Sequence, residues 1–149
     1  MREAKVAAYK RKRPVKVFLS HSYADLGIAR RVRSVLSQHL SLAVFLHDDL
    51  SAGEDWQSKL RKELENADVF VALLTPNSVA DSWVLQETGA AWALDKPIIP
   101  LTARMGLLEH FPIQLRTYQA LDLKELDTPE GSERFSEALE NRLVASRPA

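Results

Sequence analysis

Five short apolar runs, with helical segments between them, constrain this chain more than any other feature. They are "VKVFL" (residues 15–19), "LAVFL" (42–46), "DVFVALL" (68–74), "KPIIPL" (96–101) and "TYQALDL" (117–123). A strand that is apolar on both faces must be covered on both, and alternating strands and helices achieve this as a parallel sheet between two helical layers. Right-handed crossovers leave few topologies for five such strands, and the flavodoxin-like order 2-1-3-4-5 is the one expected. The expected class is therefore α/β: a five-stranded parallel sheet with helices on both faces. In that order the winding reverses between strands one and three. Ligands of this fold class bind outside the carboxyl ends of those strands.

The intervening segments carry helix signals. "DLGIARRVRSVLSQHL" places Ile28, Val32, Val35, Leu36 and Leu40 at helical spacing, with Ser22 and Asp25 as candidate capping groups. Ser51 and Glu54 match a capping box, so a helix is expected to start near Ser51 and run through "WQSKLRKELE". "SWVLQETGAAWALD" (82–95) is apolar nearly all round, which predicts burial over most of its surface. Asp127, Pro129 and Glu130 announce a last helix, "SERFSEALENRLV".

At 149 residues the chain reads as one domain, residues 15–149, behind a basic N-terminal segment, 1–14. The run "KRKRPVK" (10–16) there reads as a solvated lead-in, with a weak contact to lipid or nucleic acid as the alternative. Lys plus Arg and Asp plus Glu both number 20, so no global field favours nucleic acid or an acidic membrane, and neither partner is expected. The absence of cysteine excludes thiolate nucleophiles, disulfides and cysteine-bound zinc. No apolar run reaches the roughly 18 residues of a membrane span, and the N-terminus lacks a signal peptide's apolar centre. The expected location is cytoplasmic.

One residue in the 82–95 helix needs an explanation. At about 100° per residue, Glu87 shares a face with Trp83, Ala90, Ala91 and Leu94, while Leu85, Thr88, Gly89 and Trp92 lie opposite. A carboxylate in such a helix is either paired with a cation or used in chemistry. The residues alone leave both readings open. The helix follows strand three, however, which places Glu87 beside the crevice where this fold class binds ligands.

Other candidates are weaker. Ser20, His21 and Ser22 suggest a nucleophile beside a base, but adjacent residues rarely meet in the required geometry and no G-x-S-x-G elbow is present. Asp48 and Asp49 suggest a magnesium site like that of receiver domains. That reading fails, because strand three ends in Thr75 rather than an aspartate and the expected lysine after strand five is missing. No metal is expected. His47, alone in a loop, reads as solvated.

Taken together, "VFLSHSYAD", "DDLSAGEDW", "ADVFVALLTPNSVADSWVLQE" and "KPIIPL" resemble the Toll/interleukin-1 receptor (TIR) domain over about residues 15–142. The four motifs occur in the family's order, and Trp83 to Glu87 reproduces its W-x-x-x-E signature. The resemblance implies an NAD+ glycohydrolase with Glu87 as the catalytic residue. It implies that Ser20, His21, Ser22, Tyr23, Asp48 and Trp83 line the substrate cleft. It also makes Asp49, Leu50, Ser51, Ala52, Gly53 and Glu54 an assembly loop for homotypic TIR–TIR association, with Gly53 allowing a turn that other residues resist. NAD+ would be the substrate, with no further cofactor, and a fused or separate sensor domain would supply the trigger. The "FLSHS" opening is more similar to bacterial members, which implies immune or anti-phage signalling.

The chemistry is consistent with a single carboxylate. Nicotinamide in NAD+ is a pyridinium and departs neutral, so no general acid is required, unlike the two-carboxylate scheme of ordinary glycosidases. One carboxylate against the ribose stabilises the oxocarbenium-like transition state or binds the sugar hydroxyls. Trp83, one turn earlier on the same face, either stacks on the nicotinamide and excludes water or is a core residue. Two other functions compete: a non-catalytic TIR adaptor, a class that commonly lacks the glutamate, and a nucleoside-transferring enzyme acting on other N-glycosides.

Overall fold

The computed structural model describes residues 14–39, 42–47, 55–112, 115 and 120–145. Its strands are β1 (Val15–Ser20), β2 (Leu42–Phe45), β3 (Val69–Leu74), β4 (Ile98–Thr102) and β5 (Leu121–Asp122). All pairings are parallel, in the order β2-β1-β3-β4-β5. This is the expected α/β sheet, with β1 and β3 side by side at the reversal point. The fifth strand is shorter than the 117–123 run, whose residues 117–119 lie outside the described set.

The helices are α1 (Leu26–His39), α2 (Trp56–Asn66), α3 (Ser82–Ala93) and α4 (Pro129–Ala145). Strand alternation divides the core in two. On one face Val17, Leu19, Val69, Val71, Leu73, Ile99 and Leu101 pack against Ala29, Val32 and Leu36 of α1 and Phe135 and Leu139 of α4. On the other, Phe18, Phe70, Ala72, Leu74 and Ile98 meet Leu64 of α2 and Ala91 of α3. Burying each large side chain stabilises the fold by roughly 1.5–3 kcal/mol. Ser20 is two residues beyond Phe18, so it points to the α2/α3 face. That alternation brings a hydroxyl toward α3.

Three local expectations need correction. Ser22 precedes a 3-10 turn, Tyr23–Asp25, without a side-chain capping bond, and the Asp25 carboxylate is engaged elsewhere by Thr75 and Asn77. The Ser51/Glu54 capping box lies outside the described residues. The second helix begins instead at Trp56, where Asp55 accepts from the Ser58 amide and hydroxyl. The Ser58 side-chain hydrogen bond, followed by the backbone one, holds the Asp55 carboxyl below its ordinary range. Pro129 does begin the last helix, at the position where a missing N–H costs nothing.

The third correction concerns α3, which is not buried all round. Val84, Glu87, Thr88 and Ala91 form its buried stripe, spaced i, i+3, i+4 and i+7, while Trp92 and Leu94 are 52% and 46% exposed. A helix lying on a sheet has only one face to bury, however apolar the others are. Thr88 therefore turns inward with Glu87, and Ala90 turns outward. Asp81 caps the helix start by accepting from the Trp83 and Val84 amides. At its end Asp95 takes a left-handed conformation (φ 55°), with Lys96 N–H to Ala91 O and Asp95 N–H to Trp92 O closing a Schellman motif.

Candidate functional site

The helix start and buried stripe of α3 together fix where Glu87 points. It projects toward the carboxyl end of β1, is only 5% exposed, and its Oε1 accepts a 2.7 Å hydrogen bond from the Ser20 hydroxyl. Oε2 pairs with Nε2 of His47, the second residue after β2. A buried carboxylate is tolerated only where such partners replace water, since the desolvation of an unpaired one costs several kcal/mol. Among the described residues the partners are a hydroxyl and an imidazole, and none is an arginine or lysine.

Trp83 supports the arrangement from one turn away. Its indole nitrogen lies 2.6 Å from Nδ1 and 2.9 Å from Nε2 of His47, and the two rings meet edge-on at 84° with centroids 5.2 Å apart. Its other neighbour is Trp56, with centroids 5.5 Å apart, and Trp56 is 44% exposed. Phe18 and His21 approach the His47 ring at 6.2 Å and 5.9 Å. The carboxylate thus has an aromatic wall on the side of His47 and Trp83.

The expected lining residues divide into three groups. Ser20, His21 and Ser22 are buried at the carboxyl end of β1, and Ser20 touches Glu87 directly. His21 Nδ1–H donates to the Ser22 carbonyl at 2.8 Å, and its buried Nε2 has no partner among the described residues. Buried polar atoms are nearly always paired, so this nitrogen is an exception. Tyr23 is 86% exposed and makes no ring contact with another described residue. Asp48 lies outside the described residues, as do Asp49, Leu50, Ser51, Ala52, Gly53 and Glu54 of the assembly loop.

The nucleophile reading of Ser20 and His21 gains no support from these contacts, since the serine hydroxyl donates to Glu87 and not to a histidine. His47 corrects the reading of a solvated loop residue. It is the partner of both signature residues. Its signal was present in the register: Phe45 pairs with Phe18, so two residues on, His47 falls level with Ser20 and on the same face. No group of three or more His, Cys, Asp or Glu side chains among the described residues is arranged to hold a metal. One surface depression, about 260 Å³, is lined by Lys16, Val17, Ala43, Val44, Phe45, Glu63 and Ala67 and contains none of these site residues.

A second polar cluster lies close in sequence to the first. Asp25, 2% exposed, accepts from the Thr75 hydroxyl and from Asn77 Nδ2 at 2.8 Å. Ser78 closes the same turn by accepting from the Thr75 amide and donating to its carbonyl. These bonds tie the segment after β1 to the segment after β3. The two loops of the reversal point are held in fixed relation, with Ser20 and Glu87 just beyond them.

The family model described as TIR domain matches residues 17–140. The chain belongs to the TIR-domain family. No curated protein matches it. Among solved structures, this TIR domain is similar to a metazoan TIR-STING receptor from C. gigas, with 17% identity and a TM-score of 0.61. That match covers 89% of this chain but 40% of the receptor, so the TIR domain spans well under half of it. A CMP N-glycosidase from Clostridium botulinum matches over 85% of this chain and 98% of its own, at 18% identity and a TM-score of 0.50. At these identities the likeness is one of fold. Among the described residues no helix of the TIR domain is long and apolar enough to cross a membrane.

Proposed function

We propose that this TIR domain is an NAD+ glycohydrolase in which Glu87 is the catalytic residue. The observation carrying the reading is a buried carboxylate at the reversal point of the sheet, held by Ser20 and His47 and with no arginine or lysine on it among the described residues. In the proposed reaction the C1′–N1 bond of the nicotinamide riboside breaks and its electron pair leaves with neutral nicotinamide. Water adds to C1′ and gives ADP-ribose and a proton; capture by the adenine ring instead gives a cyclic isomer. Positive charge accumulates on the ribose as the bond breaks, and a preorganised carboxylate stabilises it. An arginine or lysine on Glu87 would have cancelled that effect. The shared fold of a CMP N-glycosidase adds an analogy only: this architecture accommodates cleavage of an N-glycosidic bond.

The same reading assigns residues 48–54 to homotypic assembly, places the protein in the cytoplasm and gives it a role in immune or anti-phage signalling under a fused or separate sensor. Its partners are NAD+ and further TIR domains, with no nucleic acid or membrane. The deciding experiment is incubation of the purified protein with NAD+ across a concentration series, with products resolved by chromatography. Release of nicotinamide with ADP-ribose or its cyclic isomer, at a specific activity that rises with protein concentration, is expected. Intact NAD+ at the highest concentration would leave the adaptor as the better reading. Release of a base from other N-glycosides, with NAD+ untouched, would favour the nucleoside-transferring enzyme.

A further inference from the structure

We infer that Trp56, the first residue of α2, is the aromatic contact for the cationic nicotinamide ring of the substrate, in place of the signature tryptophan Trp83. In the glycohydrolase reading, on which this assignment rests, Glu87 addresses C1′ of the ribose and the pyridinium ring is bonded to that carbon. A flat cation therefore has to be accommodated close to Glu87 and the rings around it.

Trp83 is already engaged. Its indole nitrogen lies over the face of the His47 imidazole, 2.6 Å and 2.9 Å from the two ring nitrogens, with the ring planes at 84°. Trp56 lies against it, with ring centroids 5.5 Å apart and planes at 51°. A third ring between the two would need roughly 7 Å, twice the contact distance of carbon atoms, so a ligand ring stacks on the outside of the pair. Trp56 is the more open member, 44% exposed beside a half-buried Trp83. Of the large apolar side chains left exposed, Tyr23, Ile28, Trp56, Trp92 and Leu94, it is the one in ring contact with Trp83. The Asp55 cap on the Ser58 amide and hydroxyl fixes the backbone that carries it.

The face of an indole is negative and attracts a cation laid over it, more strongly than the face of tyrosine or phenylalanine does. The nicotinamide of NAD+ is such a cation. The attraction is at full strength in bound NAD+ and fades as the C1′–N1 bond breaks, because nicotinamide departs neutral. Glu87 works in the opposite sense, since positive charge moves onto the ribose during the same step. Trp56 therefore acts on substrate affinity, and Glu87 on rate.

Calorimetric titration of the Glu87→Gln protein, in which ligand consumption is slowed, tests this with NAD+ and with ADP-ribose, which keeps the adenine end but lacks nicotinamide. Adding Trp56→Ala should weaken NAD+ about tenfold and leave ADP-ribose within about twofold. Trp56→Phe should lose no more than about threefold, whereas Trp56→Leu, which keeps apolar bulk against Trp83 without an aromatic face, should lose as much as the alanine variant. With Glu87 intact, Trp56→Ala should raise KM about tenfold with kcat within about twofold. Unchanged NAD+ affinity in Trp56→Ala, an equal loss for ADP-ribose, or a leucine variant that binds like the parent would each overturn the assignment. A parent that consumes NAD+ while Trp56→Ala binds it equally well overturns the role of Trp56 alone. A parent that neither consumes NAD+ nor binds either ligand overturns the glycohydrolase reading, and this assignment with it.

Discussion

Two carboxylates are buried at the same end of this sheet, a few residues from one another's partners, and they are held in different ways. Asp25 lies among short side chains: Thr75 and Asn77 donate to its two oxygens, and Ser78 locks the same turn. Glu87 lies between a serine and a histidine, and that histidine is itself in contact with a half-buried tryptophan. Burial is similar, 2% against 5%. Burial alone therefore does not separate a structural carboxylate from a functional one. Partner chemistry does. The Asp25 cluster, whose Asn77 is exposed, knits two loops together through hydroxyl and amide donors, whereas Glu87 is paired with a histidine.

The comparison can be broken at either carboxylate. The largest effect expected is on activity in Glu87→Gln. The amide can accept from His47 through its oxygen and donate to Ser20, whose hydroxyl then turns to accept, so the shape and both bonds survive. Only the charge is lost, and the rate of nicotinamide release should fall on the order of 100-fold or more. The melting temperature should stay within about 3 °C of the parent, because both hydrogen bonds are kept. A melting temperature far below the parent's would instead make Glu87 a structural partner.

Asp25→Ala should show the opposite pattern. It leaves the Thr75 hydroxyl and the Asn77 amide without their buried acceptor, a loss of about 2–3 kcal/mol. For a chain of this size that is a fall of about 6–10 °C in melting temperature, measurable by calorimetry. Activity should decline mainly through loss of folded protein. An unaltered melting temperature would show that the tie between the two loops contributes nothing.

The smallest effect sharpens the comparison within the site. Ser20→Ala removes one of the two donors that orient Glu87 and should lower kcat about fivefold, the size of one ordinary hydrogen bond. KM and melting temperature should change little. A loss as large as that of Glu87→Gln would mean that the hydroxyl itself takes part in the chemistry.

How much of this was legible in the sequence follows from which contacts are periodic. The strands alternate or run apolar over several residues, so the sheet, its order and the location of the reversal point could be read directly. Trp83 and Glu87 lie four residues apart on one helix, so their shared face was readable as well. His47 was not, because its partners are 36 and 40 residues away and nothing in "HDD" has a spacing. Only the parallel register of β1 and β2, which sets His47 level with Ser20, exposes it. Asp25 was read as a cap for its own helix, the local role its residue type favours, but a tertiary pair of donors captured it. The outward Trp92 and Leu94 of α3 were misplaced because hydrophobicity reports how apolar a helix is and not how many neighbours it has.

The most direct test of the different roles of the two carboxylates is the rate of NAD+ consumption per folded molecule. It would be measured for the parent, Glu87→Gln and Asp25→Ala at one protein concentration, at a temperature below the transition of all three. The expected result is an active parent, Asp25→Ala within about tenfold of it, and Glu87→Gln lower on the order of 100-fold or more. A folded Glu87→Gln protein that consumes NAD+ at the parent rate would contradict the account.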